Sequence, residues 1–178
     1  MIETARQRRA QQAEAKYKAD LRALRSAKAD DLKALEERYK VLKNAYYMER
    51  NSIKEDFAMK RVKVTTNIDR LKDQRTILKQ RLQNMTDNEE IYVAENEFAR
   101  ITSELENLRT SRIKLDRQEQ DALADAENRF ENRCKDGQEE RRAINKHYIN
   151  EAEKLHEAYL QIVEENRQMR EAEEGGES

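Results

Sequence analysis

Along the first half of the chain, apolar residues recur at Ala13, Tyr17, Leu21, Leu24, Leu32, Leu35, Tyr39, Leu42, Tyr46, Ile53, Phe57, Val64, Ile68, Leu71, Leu78, Leu82 and Met85. Nearly all the gaps are three, four or seven residues. That spacing keeps a narrow stripe on one side of a helix and is the mark of a seam packed against one partner. No Gly or Pro interrupts the first 85 residues, so the pattern predicts a single helical arm, roughly 130 Å long at ~1.5 Å per residue.

The seam loses phase near the middle of the sequence. Its repeat would place an apolar side chain at position 89, which is Glu, and it restarts at Ile91, Ala94, Phe98 and Ile101. A turn over residues 86–90 explains the break. Thr86 with Glu89, or Asp87 with Glu90, has the spacing of a capping box, and Asn88 is a candidate for a left-handed turn residue in place of Gly. A stutter within one unbroken helix is the alternative.

A second seam follows at Leu105, Leu108, Leu115, Leu123, Ala126, Phe130, Cys134, Ile144, Tyr148, Ala152, Leu155, Tyr159, Val163 and Met169. If the chain folds back about residue 88, facing residues should have numbers adding to about 176. Leu78 then meets Phe98, Leu71 meets Leu105, Tyr46 meets Phe130, Leu42 meets Cys134 and Tyr17 meets Tyr159. Most charged residues that fall on the seam meet an apolar one. Arg75 faces Ile101, Arg112 faces Val64, Arg61 faces Leu115, Arg141 faces Leu35 and Lys28 faces Tyr148, which suits a long stem that lies on its neighbour and carries the charge outward. Phe57 opposite Glu119 is a poorer match. Gly137 opposite Tyr39 either makes room for the ring or is a weak point in the helix.

The expected fold is therefore all-α, a long antiparallel two-helix coiled-coil hairpin. It comprises a first arm over 1–85, a turn over 86–90, a second arm over 91–170, and a polar tail over 171–178 that is expected to be disordered.

Composition supports long helices, with 41% of residues charged, three Gly and no Pro. So polar a chain also raises the possibility of disorder, but disorder does not call for regularly spaced apolar residues. Charge adds more. Residues 1–85 hold 22 Lys and Arg against 12 Asp and Glu, net +10, and residues 86–178 hold 14 against 25, net −11. A basic arm beside an acidic one favours fold-back over parallel pairing of two copies. No signal-like apolar run opens the sequence and no stretch has the ~20 apolar residues of a membrane span. With one cysteine, Cys134, no intrachain disulfide can form. A cytoplasmic setting, or the interior of a virion or secretion apparatus, is expected.

Catalytic chemistry has little to work with. His147 and His156 are nine residues apart and fall on opposite faces of a helix. Cys134 falls on the seam, as a small buried hydrophobe would. There is no phosphate loop, no zinc-spaced cysteine pair and no nucleophile beside a base. The expectation is no enzyme, no cofactor and no metal. Nucleic acid is an alternative partner for the basic arm, through Lys54, Lys60, Arg61, Lys63, Lys72, Arg75, Lys79 and Arg81. Interleaved Glu55, Asp56, Asp69 and Asp73 dilute that field.

Two surfaces remain for a protein partner or a second copy. One is the turn, where Asp87, Asn88, Glu89 and Tyr92 would be presented together. The other is a set of apolar residues that the seam leaves over: Tyr47, Met48, Met59, Val62 and Ile77 on the first arm, and Tyr92, Ile113, Ile149 and Leu160 on the second. The expected function is a non-catalytic structural or adaptor coiled coil, a rigid spacer or coupling rod within a larger assembly. In form it resembles the stalk proteins of type III secretion and flagellar export ATPases, and virion-assembly and scaffolding coiled coils. The likeness is one of shape, with no shared residue motif.

Overall fold

In the computed structural model, which describes residues 2–176 (side chains from residue 5), the chain forms two helices. They are α1 (Ile2–Asn84) and α2 (Asn88–Gly176), packed closely as an antiparallel hairpin. Only residues 85–87 between them are non-helical. The turn is therefore shorter than the five residues expected, and its chemistry is narrower. Asp87 is the N-cap of α2: its Oδ1 accepts from the backbone N–H groups of Glu89 at 2.8 Å and Glu90 at 3.1 Å, while its carbonyl accepts from Ile91 N–H at 2.9 Å. Glu89 and Glu90 then lie in the first turn, where the helix dipole favours negative charge. Asn88 is not a left-handed turn residue. It opens α2, and among the described residues no backbone has positive φ. The cap supplies partners for the orphan amides, so the reversal does not require a Gly or a strained residue.

The helices divide into two compact units. One comprises Lys43–Glu131 and contains the turn; the other comprises Met1–Leu42 with Asn132–Ser178 and contains both chain ends. In the turn-containing unit the core is a layer of Ile68, Leu71, Ile101 and Leu105, with Val64, Leu78 and Leu108 packed around it. Leu105 is only 1% exposed. Tyr46 stacks on Phe130 with ring centroids 4.5 Å apart, so the predicted fold-back pairing holds in this unit. The awkward seam position at Glu119 is also resolved. Its carboxylate, 15% exposed, accepts a hydrogen bond from Arg61, one turn beyond Phe57 on α1, and Arg61 reaches Asp116 at 3.2 Å as well. The hydrogen bond to Glu119, ahead of a smaller opposing effect of burial, raises the pKa of the Arg61 guanidinium. Lys60 Nζ sits 4.7 Å from the centre of the Phe57 ring, so the aromatic carries a cation on its face. Arg112, expected to lie on the seam, is exposed.

The unit with the chain ends is looser. Tyr148 is its one buried apolar residue among those described, whereas the turn-containing unit holds Phe57, Ile68, Leu71, Ala94, Ile101, Leu105 and Ala126. In the looser unit the aliphatic seam residues, Leu21, Leu32 and Leu155 among them, are only half-buried, and aromatic and polar contacts join them. Tyr17 stacks on Tyr159 at 4.8 Å, and the Tyr148 hydroxyl donates to Asp31 Oδ2 at 2.7 Å. Arg6 pairs with Glu173, and Arg9 reaches Glu165 at 3.7 Å, which brings the terminal arginines to the acids as their charges imply. Where disorder was expected from residue 171, α2 continues to Gly176, its last turns carrying Arg167–Glu171 and Arg170–Glu174 pairs at i,i+4. Residues 177 and 178 lie outside the described residues.

Candidate functional site

Three places remain to be weighed as sites: the turn, the off-seam apolar residues, and the poorly filled seam around Gly137.

At the turn, Asp87 is occupied as the helix cap. Asn88 and Glu89 are exposed, and Tyr92 projects one helical turn further on, 67% exposed. The four residues therefore share one end of the turn-containing unit, but only three of them have side chains uncommitted to the reversal itself. Val93, which the sequence reading passed over, is as exposed as Tyr92 and adds to the apolar surface there.

The off-seam residues are where the spacing placed them. Met48 is 73% exposed, and Met59, Val62, Ile77 and Tyr47 are exposed with it on α1. Met48, Met59 and Val62 keep within an arc of about 60° at 100° per residue, roughly opposite the seam residues Tyr46, Ile53 and Phe57. On α2, Ile113 is exposed in the turn-containing unit. Ile149, Leu160, Val163 and Met169 are exposed in the other. Val163 and Met169 are expected on the seam from the spacing. They lie outside it because Ile162 and Asn166 take the inward positions at that end of α2.

Around Gly137 the seam opens into a groove of about 520 Å³, bordered by Leu32, Leu35, Tyr39, Leu42, Cys134 and Gly137. The suggestion that Gly137 makes room for the Tyr39 ring is not met. A Cβ placed on Gly137 would have nothing within 4 Å, and Tyr39 is exposed. The cause is legible in α2: between Cys134 and Ile144 the only apolar residue is Ala143, and of the positions expected on the seam there, 137 is Gly and Arg141 is exposed. Cys134 is half-buried beside Leu42, as a small seam residue.

The two histidines do not converge. His147 meets the edge of Tyr148, and His156 Nδ1 is 3.2 Å from the Tyr17 hydroxyl. Among the described residues no three His, Cys, Asp or Glu side chains gather at metal-binding distance. Of the basic residues considered for nucleic acid, Lys60 is paired with Asp56 at 2.8 Å and Arg61 with Glu119 and Asp116, so part of that charge is already neutralised within the chain. No helix among the described residues is long and apolar enough to cross a membrane. Compared with known proteins, the chain matches no family model, no curated protein and no solved structure.

Proposed function

We propose that the protein is a non-catalytic structural or adaptor coiled coil whose hairpin spaces or couples parts of a larger assembly. The observation that carries this reading is the set of large apolar side chains that the packing of α1 on α2 leaves in solvent. Met48, Met59 and Val62 are each more than 60% exposed although both helices have already committed their seam residues to each other. A two-helix hairpin buries one stripe per helix, and a second stripe contributes nothing to its own folding; contact with another body gives it a use. The capped turn supports the same role from the other direction, because Asp87 secures the reversal while Tyr92 and Val93 stay exposed beside it.

The test is to capture the partner from the native source with three forms of the chain. These are the wild type, a stripe variant (Met59→Glu with Val62→Glu) and a turn variant (Asn88→Ala with Tyr92→Ala). Loss of one protein partner in one variant, with helix content unchanged, supports the reading and identifies the surface. If instead the captured material is nucleic acid, and its binding falls by orders of magnitude between about 50 and 200 mM salt as phosphate contacts do, the adaptor reading is wrong and the basic arm is the functional face.

A further inference from the structure

We infer that Met48, Met59 and Val62 on α1 of one copy dock against Ile149, Leu160 and Val163 on α2 of a second copy, the two helices running parallel. All six side chains are between 45% and 73% exposed. The three on α1 are separated by eleven and then three residues, and so are the three on α2, in the same order. A constant offset therefore sets Met48 level with Ile149, Met59 with Leu160 and Val62 with Val163, but only when the helices point the same way. Within one chain α1 and α2 are antiparallel, so the hairpin cannot make this match for itself and a second copy can.

Charge favours this pairing over like on like. Residues 47–63 contain five Lys and Arg against three Asp and Glu, while residues 148–164 contain one Lys against four Glu. Two α1 stripes together would face basic segment with basic segment, and two α2 stripes acidic with acidic; α1 against α2 sets opposite signs beside an apolar centre. The proposal gives one identity to a partner of the exposed stripe. It rests on the matched spacing and charge, and its failure would remove self-pairing while leaving an adaptor role for other partners, which is read separately by capture.

Cross-linking tests the register directly. In chains carrying Cys134→Ala, a tagged Met59→Cys chain is mixed with an untagged Leu160→Cys chain and, in parallel, with an untagged Ile149→Cys chain, then exposed to mild oxidant. The first mixture should give the mixed disulfide and the second should not, because Ile149 lies eleven residues, about 16 Å, from the level of Met59 and a disulfide needs Cα atoms within about 7 Å. Sedimentation equilibrium of the uncross-linked wild type should show mass above one chain that rises with concentration. Met59→Glu with Val62→Glu should weaken that association at least tenfold while circular dichroism stays the same. A mass of one chain at all concentrations, or equal cross-linking in both mixtures, overturns the proposal.

Discussion

Replacing Gly137 should stabilise the protein, and by an amount that grows with the size of the new side chain. A glycine inside a helix costs ~1 kcal/mol relative to alanine, because its backbone loses more freedom on ordering. That gain is lost where the added methyl clashes, but a Cβ at Gly137 meets nothing within 4 Å. Gly137→Ala should therefore recover most of the ~1 kcal/mol. Gly137→Leu should add to it by covering Leu35 and Leu42 across the groove and Cys134 on its own side. Full burial of a leucine is worth about 1.5–3 kcal/mol, and a groove open on one side should yield about half of the middle of that range, so the total is about 2 kcal/mol. The groove lies in the looser unit, where opening is local, so amide hydrogen exchange is a sharper assay than a global melt. At 1.4 kcal/mol per factor of ten, protection of amides near 130–145 should rise about fivefold in the alanine variant and about thirtyfold in the leucine variant. Unchanged or lower protection in Gly137→Ala would mean that α2 is not an ordinary helix at this point. Equal protection in the two variants would mean that the side chain does not reach across the groove.

Other substitutions probe the remaining packing. Leu105→Ala removes the most buried side chain of the Ile68–Leu71–Ile101–Leu105 layer and should cost about 2–5 kcal/mol in urea denaturation; a loss under about 1 kcal/mol would show that the layer is not a packed core. Leu42→Cys should oxidise readily to an intrachain disulfide with Cys134, since both line one groove from opposite helices. Thiols that stay free under mild oxidant would refute the pairing of those positions. Tyr148 has its pKa raised above the ordinary tyrosine value by its hydrogen bond to Asp31, with burial and the charges of Asp31 and Asp30 acting in the same sense. A raised folded-state pKa gives stability that is fully present below about pH 10 and is lost as the pH climbs through the folded-state value. The wild type should accordingly lose stability more steeply above pH 10 than Tyr148→Phe, and equal slopes in alkaline denaturation would contradict it.

The periodic apolar residues determined most of the fold by themselves. A stripe spaced by threes, fours and sevens calls for a second such stripe along its length, and the phase break after Met85 together with opposite net charges decided that the two stripes belong to one folded-back chain. The pairings of Tyr17 with Tyr159, Tyr46 with Phe130 and Leu71 with Leu105 follow from counting, because an antiparallel pair of helices has the same rise on both sides. The off-seam Met48, Met59 and Val62 were legible for the same reason: a residue out of phase with the seam has nowhere to point but solvent.

What counting could not supply was how well each level is filled, since that depends on side-chain size and reach across the helix pair. Glu119 looks misplaced opposite Phe57 until the longer Arg61 is seen to extend to it from the next turn. Val163 and Met169 look like seam residues until Ile162 and Asn166 occupy the inward positions. The reversal at Asp87 needed the actual directions of two backbone amides to separate its cap from the Thr86 alternative. At Gly137 the lapse in the apolar spacing is legible in the sequence, yet it stays an open groove because no neighbouring side chain reaches in to fill it. Periodicity specifies the face a residue presents, whereas packing is set by volume at a point, and that became determinate only with both helices in place.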